Sequence, residues 1–433
     1  MIARLTASCL SLALAAPLCA DVVLAPPFQD NAVLQRDRPL AVWGRADPGE
    51  KVMVKLAGQA IGTTTARDGR WIVFLDALPA SAVPTELVVE GKNTVTVRDV
   101  LVGEVWLAAG DDLLALPATA TDVDAPALIR TFKATAAPAE SPTDSVAGAW
   151  TVSSTDGGAI TGAFARDLHR RLQVPVGILQ IVAPGSAIDA WLSPAALESV
   201  GGSTPADAGR IFNGAVHPLL PYAVRGVLWA QGTADADHAA AYHARFAALI
   251  THWRLHFGQG DLPFFWLQLP PTTAPVEPLA RAYAHLREAQ EQTLELPATG
   301  QAIAIDLAPG DAHEMARRLV LLARDQVYAL PADASGPRFE RADRDGAALR
   351  VFFRHADNGL TAGGTPPKAF EIAGSDRVFH PAKATIQRNT ILVSSPAVKE
   401  PVALRYAWTN APEANLFNGA GLPAAPFRTD DWD

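Results

Sequence analysis

The stretch Leu101-Val102-Gly103-Glu104-Val105-Trp106-Leu107-Ala108-Ala109-Gly110-Asp111-Asp112 determines how the rest of this chain is interpreted. Its apolar run predicts a buried β-strand, and Gly110 predicts the turn that ends it. In an open α/β sheet, residues that follow the carboxyl end of a strand lie where ligands bind and where nucleophiles are presented. We therefore expect the chemistry of this protein directly after Gly110.

Short β-rich runs precede this stretch, and alternating strands and helices follow it. Between residues 21 and 100, turn sequences such as Asp47-Pro48-Gly49 separate the apolar runs, which predicts a small β-sandwich. From residue 101 to residue 330 the pattern includes a strand over 176–182, a long helix over 242–257 and a strand over 302–306. Such alternation predicts a mostly parallel sheet covered by helices on both faces. Beyond residue 331 short strands return, which predicts a second β-sandwich or an all-β tail.

Composition and charge exclude several classes of partner. The 433 residues carry 36 Lys and Arg against 45 Asp and Glu, a formal net charge of −9. This balance argues against nucleic acid or an anionic membrane surface as partner. Apart from the amino terminus, no run approaches the roughly 18 apolar residues of a membrane-spanning helix.

The first 20 residues resemble a secretory signal peptide. They contain the single cation Arg4, an apolar run and small residues near a break after Ala20. Cleavage there removes Cys9 and Cys19, which excludes disulfides and zinc–thiolate sites; a cut at Ala16 is the alternative. We expect export to the periplasm or the extracellular space.

The run from Val102 to Leu107, followed by Gly110, resembles the start of the catalytic block of the sialate O-acetylesterase family, which belongs to the SGNH hydrolases. The segments 31–37 and 427–432 also resemble this family, so the similarity covers nearly all of the mature chain. It implies an α/β fold with an SGNH-hydrolase-like (flavodoxin-like) central domain between β-sandwich segments. The implied division is a signal peptide at 1–20 and domains at 21–100, 101–330 and 331–433. An O-acetylated sugar or glycan is the implied partner, without a cofactor.

The family's catalytic block continues Gly-Gln-Ser-Asn-Met, but here Gly110 is followed by Asp111, Asp112, Leu113 and Leu114. Asp112 therefore stands at the position of the serine nucleophile. A carboxylate about 4 Å from a developing oxyanion repels it by roughly 4 kcal/mol at an effective dielectric of about 20, or about a thousandfold in rate. We interpret Asp112 as the first residue of a helix, where the exposed amides stabilise a carboxylate.

Two further blocks are also altered. Pro184 replaces the first glycine of the second block and has no amide hydrogen for an oxyanion, whereas Gly185 remains. In the third block Gln231 and Gly232 are kept, but Asp235 replaces the asparagine donor. An ionised carboxylate only accepts hydrogen bonds, so Asp235 cannot hold an oxyanion.

The histidine base has two possible placements. Asp311 and His313 have the spacing of the family's Asp-Ile-His-Pro motif, which makes His313 the candidate base. The segment after His313 is shorter than in the family, however, and an alignment gap over the motif would make His313 only the start of a helix. His252 and His256 are four residues apart, but without a spaced third ligand they predict a solvated helix face rather than a metal site.

Two functions remain open at this point. The first is a secreted family member whose hydrolase site is degenerate at Asp112, Pro184 and Asp235, inactive or weakly active, and able to bind a glycan. The alternative is an active carbohydrate O-acetylesterase that removes acetyl groups from sialic acid or related sugars. In that case Asp112 or Asp235 activates water and His313 assists. The sequence does not determine the sugar or the oligomeric state.

Overall fold

The structure is a computed structural model that describes residues 21–117, 127–152, 158–201, 205–272, 281–308, 310–356 and 358–432. The predicted signal peptide lies outside these residues. Among the helices of the described ranges, none combines the length and the hydropathy required to cross a bilayer.

The amino-terminal part consists of strands in two sheets. One sheet has the order β1-β3-β6; in the other, β4 pairs with β5 and β7, and β7 pairs with β8. Apolar residues alternate with exposed ones along β4 and β6, so one face of each strand is buried, as predicted. The bounds are β1 (Val23–Leu24), β2 (Val33–Gln35), β3 (Leu40–Arg45), β4 (Lys51–Leu56), β5 (Gln59–Thr64), β6 (Arg70–Leu75), β7 (Ser81–Glu90) and β8 (Thr94–Gly110).

Strand β8 is a single strand of 17 residues. Its first half pairs antiparallel with β7, and its last residues lie in the centre of the next sheet. The predicted division between residues 100 and 101 therefore falls inside one strand. The three-domain division itself stays a prediction.

The central part alternates strands and helices around a mixed sheet of order β10-β9-β11-β8-β12-β13-β14. Within this order only β10 and β9 pair antiparallel, which agrees with the predicted mostly parallel sheet. The bounds are β9 (Ile129–Ala134), β10 (Gly148–Thr151), α1 (Ala159–Leu172), β11 (Val176–Val182), α2 (Pro194–Val200), β12 (Gly226–Ala230), α3 (Ala239–Phe257), β13 (Phe264–Leu267), α4 (Ala282–Gln292), β14 (Thr299–Ala302) and α5 (Ala312–Gln326).

Helices cover both faces of this sheet. On one face α1 and α5 pack against Trp106 and Phe265, and on the other face α3 and α4 pack against Trp229 and Trp266. Alternate residues of the same strands thus enter two different cores. The predicted helices and covered sheet are confirmed.

The strand predicted at 302–306 is wrong. Strand β14 is Thr299–Ala302, and its polar residues are paired in the sheet beside β13. Ile303 and Ile305, which suggested the strand, instead belong to the buried core of the carboxyl-terminal part. Their apolar character reflects packing between two parts of the chain rather than a strand.

In the part after residue 331, the described elements are all strands. Two four-stranded sheets, of order β15-β16-β21-β20 and β19-β18-β22-β24, enclose a core that includes Val351, Ile372 and Tyr406. The bounds are β15 (Arg338–Asp345), β16 (Ala348–Arg354), β17 (Leu360–Thr361), β18 (Phe370–Ala373), β19 (Phe379–Pro381), β20 (Lys383–Gln387), β21 (Thr390–Ser394), β22 (Ala403–Tyr406), β23 (Phe417–Asn418) and β24 (Phe427–Arg428). The predicted all-β carboxyl-terminal part agrees with this arrangement.

The carboxyl ends of β11, β8 and β12 lie side by side. Gly110, the last residue of β8, is in register with Val182 on one side and Ala230 on the other. Gly110 has φ +154°, and a Cβ there would lie 1.9 Å from the carbonyl oxygen of Ala230, so this close approach requires glycine. The segments that follow these three strands therefore meet at one edge of the sheet.

Candidate functional site

The sheet edge at the carboxyl ends of β11, β8 and β12 brings together residues from three of the sequence motifs that resemble the family's catalytic blocks. Asp111 and Asp112 follow β8, Gly185 follows β11, and Gln231 and Gly232 follow β12. This is the position at which ligands bind in open α/β sheets. The edge is therefore the candidate functional site.

Asp112 occupies the first position of a short 3₁₀-helix, Asp112–Ala115, as the sequence predicts. Its side chain is exposed, and its Oδ2 accepts a hydrogen bond of 3.3 Å from the backbone N–H of Gly185. With Pro184 lacking an N–H, Gly185 is the amide that the family resemblance leaves in the second block for an oxyanion. The carboxylate that the resemblance places at the serine position therefore accepts a hydrogen bond from this amide.

Asp111 caps the same helix, a role that the sequence did not indicate. Its side chain is buried; Oδ1 accepts from the N–H of Leu113 at 3.4 Å and Oδ2 from the N–H of Gly232 at 3.2 Å. Burial raises the pKa of Asp111 to about 7, although the amide hydrogen bonds oppose this shift. Near neutral pH, Asp111 is therefore a carboxyl group close to the midpoint of its titration.

The raised pKa of Asp111 gives a testable dependence of stability on pH. The folded state retains a proton up to about pH 7 that the unfolded state releases near pH 4, so the stability contribution is lost as pH rises through this window. As the pH rises from 5 to 8, we expect the loss of this contribution from Asp111 to lower the free energy of unfolding by on the order of 2 kcal/mol. In Asp111→Asn this part of the pH dependence should disappear, measured by urea denaturation at each pH. Identical pH profiles for the two proteins would contradict the assignment.

Asp235 is the second buried carboxylate of the site. It accepts a hydrogen bond of 3.0 Å from the N–H of Ile188 and one of 2.6 Å from Nε2 of Gln231. Burial raises the pKa of Asp235 to about 6, and the two hydrogen bonds act in the opposite direction. At pH 7 the side chain is mostly ionised and accepts hydrogen bonds only.

Gln231 is held in one orientation by its neighbours. Its Nε2 also donates to the carbonyl of Ser186 at 2.9 Å, and its Oε1 accepts from the hydroxyl of Tyr242 at 3.0 Å. Gln290 of α4 donates to the carbonyl of Gln231 at 3.3 Å. Tyr242 and Gln290 lie on α3 and α4, and both are buried. A polar Gln290 within an apolar stripe was the available signal for this network.

Ser186 has a structural role. Its Oγ donates to the carbonyl of Ala183 at 2.7 Å and accepts from the indole N–H of Trp191 at 2.8 Å. Both hydrogen bonds stabilise the turn that contains Pro184 and Gly185.

Asp311 and His313 lie at the start of α5. His313 is an exposed residue in the first turn of the helix, and Oδ2 of Asp311 accepts from the N–H of Ala308 at 2.8 Å. α5 follows β14, three strands from β8, or roughly 14 Å at about 4.8 Å per strand. The helix-start position is observed, whereas the role of His313 as a base stays a prediction.

No metal centre is formed within the described ranges, where no three His, Cys, Asp or Glu side chains are grouped to hold an ion. His252 and His256 lie on α3, and His256 is exposed.

A common pattern links the three aspartates. Each accepts a hydrogen bond from a backbone N–H of a neighbouring segment: Asp112 from Gly185, Asp235 from Ile188, and Asp111 from Gly232. Backbone N–H groups at this edge are the donors that stabilise an oxyanion in acyl transfer. Here aspartate side chains accept from them instead.

Comparisons with known proteins agree with this architecture. The family model described as carbohydrate esterase, sialic acid-specific acetylesterase, matches residues 118–325. The crystal structure of a carbohydrate acetylesterase from Xanthomonas citri is 36% identical and superimposes with a TM-score of 0.87, covering 95% of this chain and 100% of that one.

Curated vertebrate proteins match over a similar extent. The chain is 26% identical to the sialate O-acetylesterase of Homo sapiens and 25% identical to that of Pongo abelii, in each case over 92% of this chain and 91% of the relative. These similarities extend over nearly the full length of both partners. This chain belongs to the carbohydrate esterase family of sialic acid-specific acetylesterases.

Proposed function

We propose that this protein is a sialate O-acetylesterase-family member that no longer hydrolyses esters by the serine mechanism and instead binds an O-acetylated saccharide. The observation that carries the proposal is the contact between Asp112 and the amide of Gly185. One substitution removes the nucleophile and also occupies an oxyanion donor. Asp235 in place of the asparagine donor acts in the same direction.

The charge at the site supports this proposal. A tetrahedral intermediate would place its negative oxygen beside Asp112, at a cost of roughly 4 kcal/mol for charges about 4 Å apart at an effective dielectric of about 20. Catalysis requires the opposite arrangement, in which donors are aimed at the developing charge. A neutral sugar hydroxyl has no such penalty, because it can donate to the carboxylate.

We also propose that the central part is an SGNH-type core. With β8, β11, β12, β13 and β14 counted from first to fifth, their spatial order is 2-1-3-4-5, which is the flavodoxin-like order. Strands β9 and β10 then extend the edge next to β11. The position of the candidate site beside β8 agrees with the switch point of such a sheet.

One observation favours a second candidate function, an active O-acetylesterase that uses water. Burial raises the pKa of Asp235 to about 6, which is within the range of general bases that operate near neutral pH. In this alternative, Asp235 or Asp112 accepts the proton of an attacking water molecule and His313 assists.

Acetate release distinguishes the two functions. We expect no release above the uncatalysed rate from a chromogenic acetyl ester or an O-acetylated sialic acid with the wild type. His313→Ala should behave identically, whereas Asp112→Ser should show activity. Wild-type release that His313→Ala abolishes would establish the water-based esterase and contradict the leading proposal.

Export is part of the same proposal. The charge and apolar pattern of residues 1–20 supports cleavage after Ala20. Amino-terminal sequencing of protein recovered from the periplasm or the medium should therefore begin at Asp21, and recovery of the uncleaved chain from the cytoplasm would contradict it.

A further inference from the structure

A cavity of about 440 Å³ lies beside the candidate site, between α3, α4 and the carboxyl-terminal strand β24. Ala236 and Asp237 line one side of the cavity, and both belong to the 3₁₀-turn Thr233–His238, which also carries Asp235. Its volume is within the range of ligand sites, about 300–1,000 Å³. The cavity is therefore large enough for a small ligand.

The base of the cavity is formed by small side chains. Ala236, Ala239, Ala282 and Ala289 are buried beneath it, and Ala240 of α3 is exposed at its edge. Alanine methyl groups present a shallow apolar surface without filling the space. Such a surface can contact the C–H groups of a ring.

The rim is polar and held in place by contacts outside the cavity. Arg428 forms a bidentate ion pair with Glu288, with N–O distances of 3.0 and 2.9 Å, and its guanidinium lies 5.1 Å from the ring centre of the buried Trp408. His285 packs edge-on against the same Trp408 at 5.4 Å. Nε2 of His243 lies 3.1 Å from Oε1 of Glu295. These side chains are pre-positioned, which reduces the entropic cost of binding.

The charge of the rim favours an uncharged ligand over an anionic one. Asp237 and Glu288 are anionic and Arg428 is cationic, so the rim carries a formal charge of about −1 when both imidazoles are neutral. Carboxylates accept hydrogen bonds, guanidinium donates them, and imidazole does both. Sugar hydroxyls match this mixture, because each can donate and accept. A carboxylated sugar would instead meet the net negative charge.

We propose that this cavity is a binding subsite for an uncharged saccharide unit, adjacent to the candidate functional site at the edge of the sheet. The inference rests on the proposed saccharide binding but concerns a different surface from Asp112 and Gly185. It implies that the glycan bound by this protein extends past its acetylated position. It also implies that the extending unit is neutral rather than a second sialic acid.

Binding of sugars without acetyl groups tests the subsite separately from the acyl site. Maltotriose, xylotriose and cellotriose are titrated into the full-length mature protein, with trigalacturonate, in which every unit carries a carboxylate, as the anionic probe. We expect at least one neutral trisaccharide to bind with a dissociation constant of about 1 mM, and trigalacturonate to bind at least about threefold more weakly at low salt.

Two tryptophan substitutions on the same helix provide a matched comparison. Ala240 and Ala244 are both exposed and one turn apart on α3, but only Ala240 lines the cavity. Ala240→Trp should raise the dissociation constant at least about tenfold, whereas Ala244→Trp should leave it within about twofold. Gln292→Trp, which blocks the opposite wall from α4, should reproduce the effect of Ala240→Trp.

Each result has a defined meaning. Binding that is lost in Ala240→Trp and Gln292→Trp but kept in Ala244→Trp supports the subsite, whatever the outcome of the acetate assay. Absence of binding by all three neutral sugars overturns it. Equal binding by Ala240→Trp and the wild type, equal loss in Ala240→Trp and Ala244→Trp, or tighter binding of trigalacturonate than of the neutral sugars also overturns it.

Discussion

The double variant Asp112→Ser/Asp235→Asn is expected to release acetate at least about a hundredfold faster than Asp112→Ser alone. Serine at position 112 supplies a nucleophile and removes the carboxylate from the amide of Gly185. Asparagine at position 235 replaces an acceptor by a side chain that can donate to an oxyanion. One such donor contributes about 10²–10³ in kcat in serine hydrolases.

The control is the variant Asp112→Asn/Asp235→Asn. It removes the same two carboxylates but provides no hydroxyl nucleophile, so it should remain inactive. Initial rates with a chromogenic acetyl ester, together with the thermal midpoint of each variant, provide the comparison. Equal rates for Asp112→Ser and the double variant would show that Asp235 does not oppose the reaction.

His313 can be tested in the same background. If His313 takes the proton of the serine hydroxyl introduced by Asp112→Ser, the further change His313→Ala should remove most of the activity gained by the double variant. A positioned general base contributes about 10²–10⁴-fold to the rate. Full activity of the variant that lacks the imidazole would mean that His313 is only a residue of the first turn of α5 and does not act as a base.

Much of the fold was predictable from the sequence because its apolar runs are long and uninterrupted. Strand β11 has the predicted bounds Val176–Val182, and its buried residues are apolar except for Gly177 and Gln180. Strand β14 was missed because Thr299, Gly300 and Gln301 are polar or small, although their neighbours in the sheet bury them. Pairing with neighbouring strands determines that such a segment is a strand, and the local sequence pattern does not show this pairing.

The sequence allowed us to predict which residues lie at the candidate site, but not which hydrogen bonds they form. Motif comparison placed Asp112, Gly185 and Asp235 at the ends of three strands, and the structure brings their segments together. The capping role of Asp111 depends on a contact with Gly232, 121 positions away. A hydrogen bond between segments so distant in sequence leaves no local pattern, so only the structure reveals which carboxylate contacts which amide.

Replacing Glu104 by Gln is expected to destabilise the protein by about 3–5 kcal/mol. Glu104 lies within β8 and is fully buried. Its carboxylate pairs with Arg36 and with Arg225, the latter at 2.7 Å, and accepts from the hydroxyl of Tyr328 at 3.0 Å. The neutral amide would leave two guanidinium groups without their buried counter-ion, which is the reason for the large cost.

The same substitution should change how stability depends on acid. Hydrogen bonds and charges from Arg225 and Arg36 outweigh the cost of burial and lower the pKa of Glu104. Its contribution is therefore present above the ordinary carboxyl pKa of about 4.3 and is lost as pH falls through the lowered folded-state value. Glu104→Gln should lack this part of the acid transition, which urea denaturation between pH 3 and pH 7 would measure.

Tyr328→Phe is the comparison for the loss of neutral hydrogen bonds without the loss of a charge. It removes the hydroxyl that donates to Glu104 and accepts from the indole N–H of the buried Trp106 at 3.1 Å, but it leaves both ion pairs intact, so we expect a loss of about 2 kcal/mol. Because Glu104 belongs to the strand that joins the amino-terminal sheet to the central one, its paired charge stabilises the junction between them. A loss for Glu104→Gln no larger than that for Tyr328→Phe would mean that the two arginines remain solvated without the carboxylate.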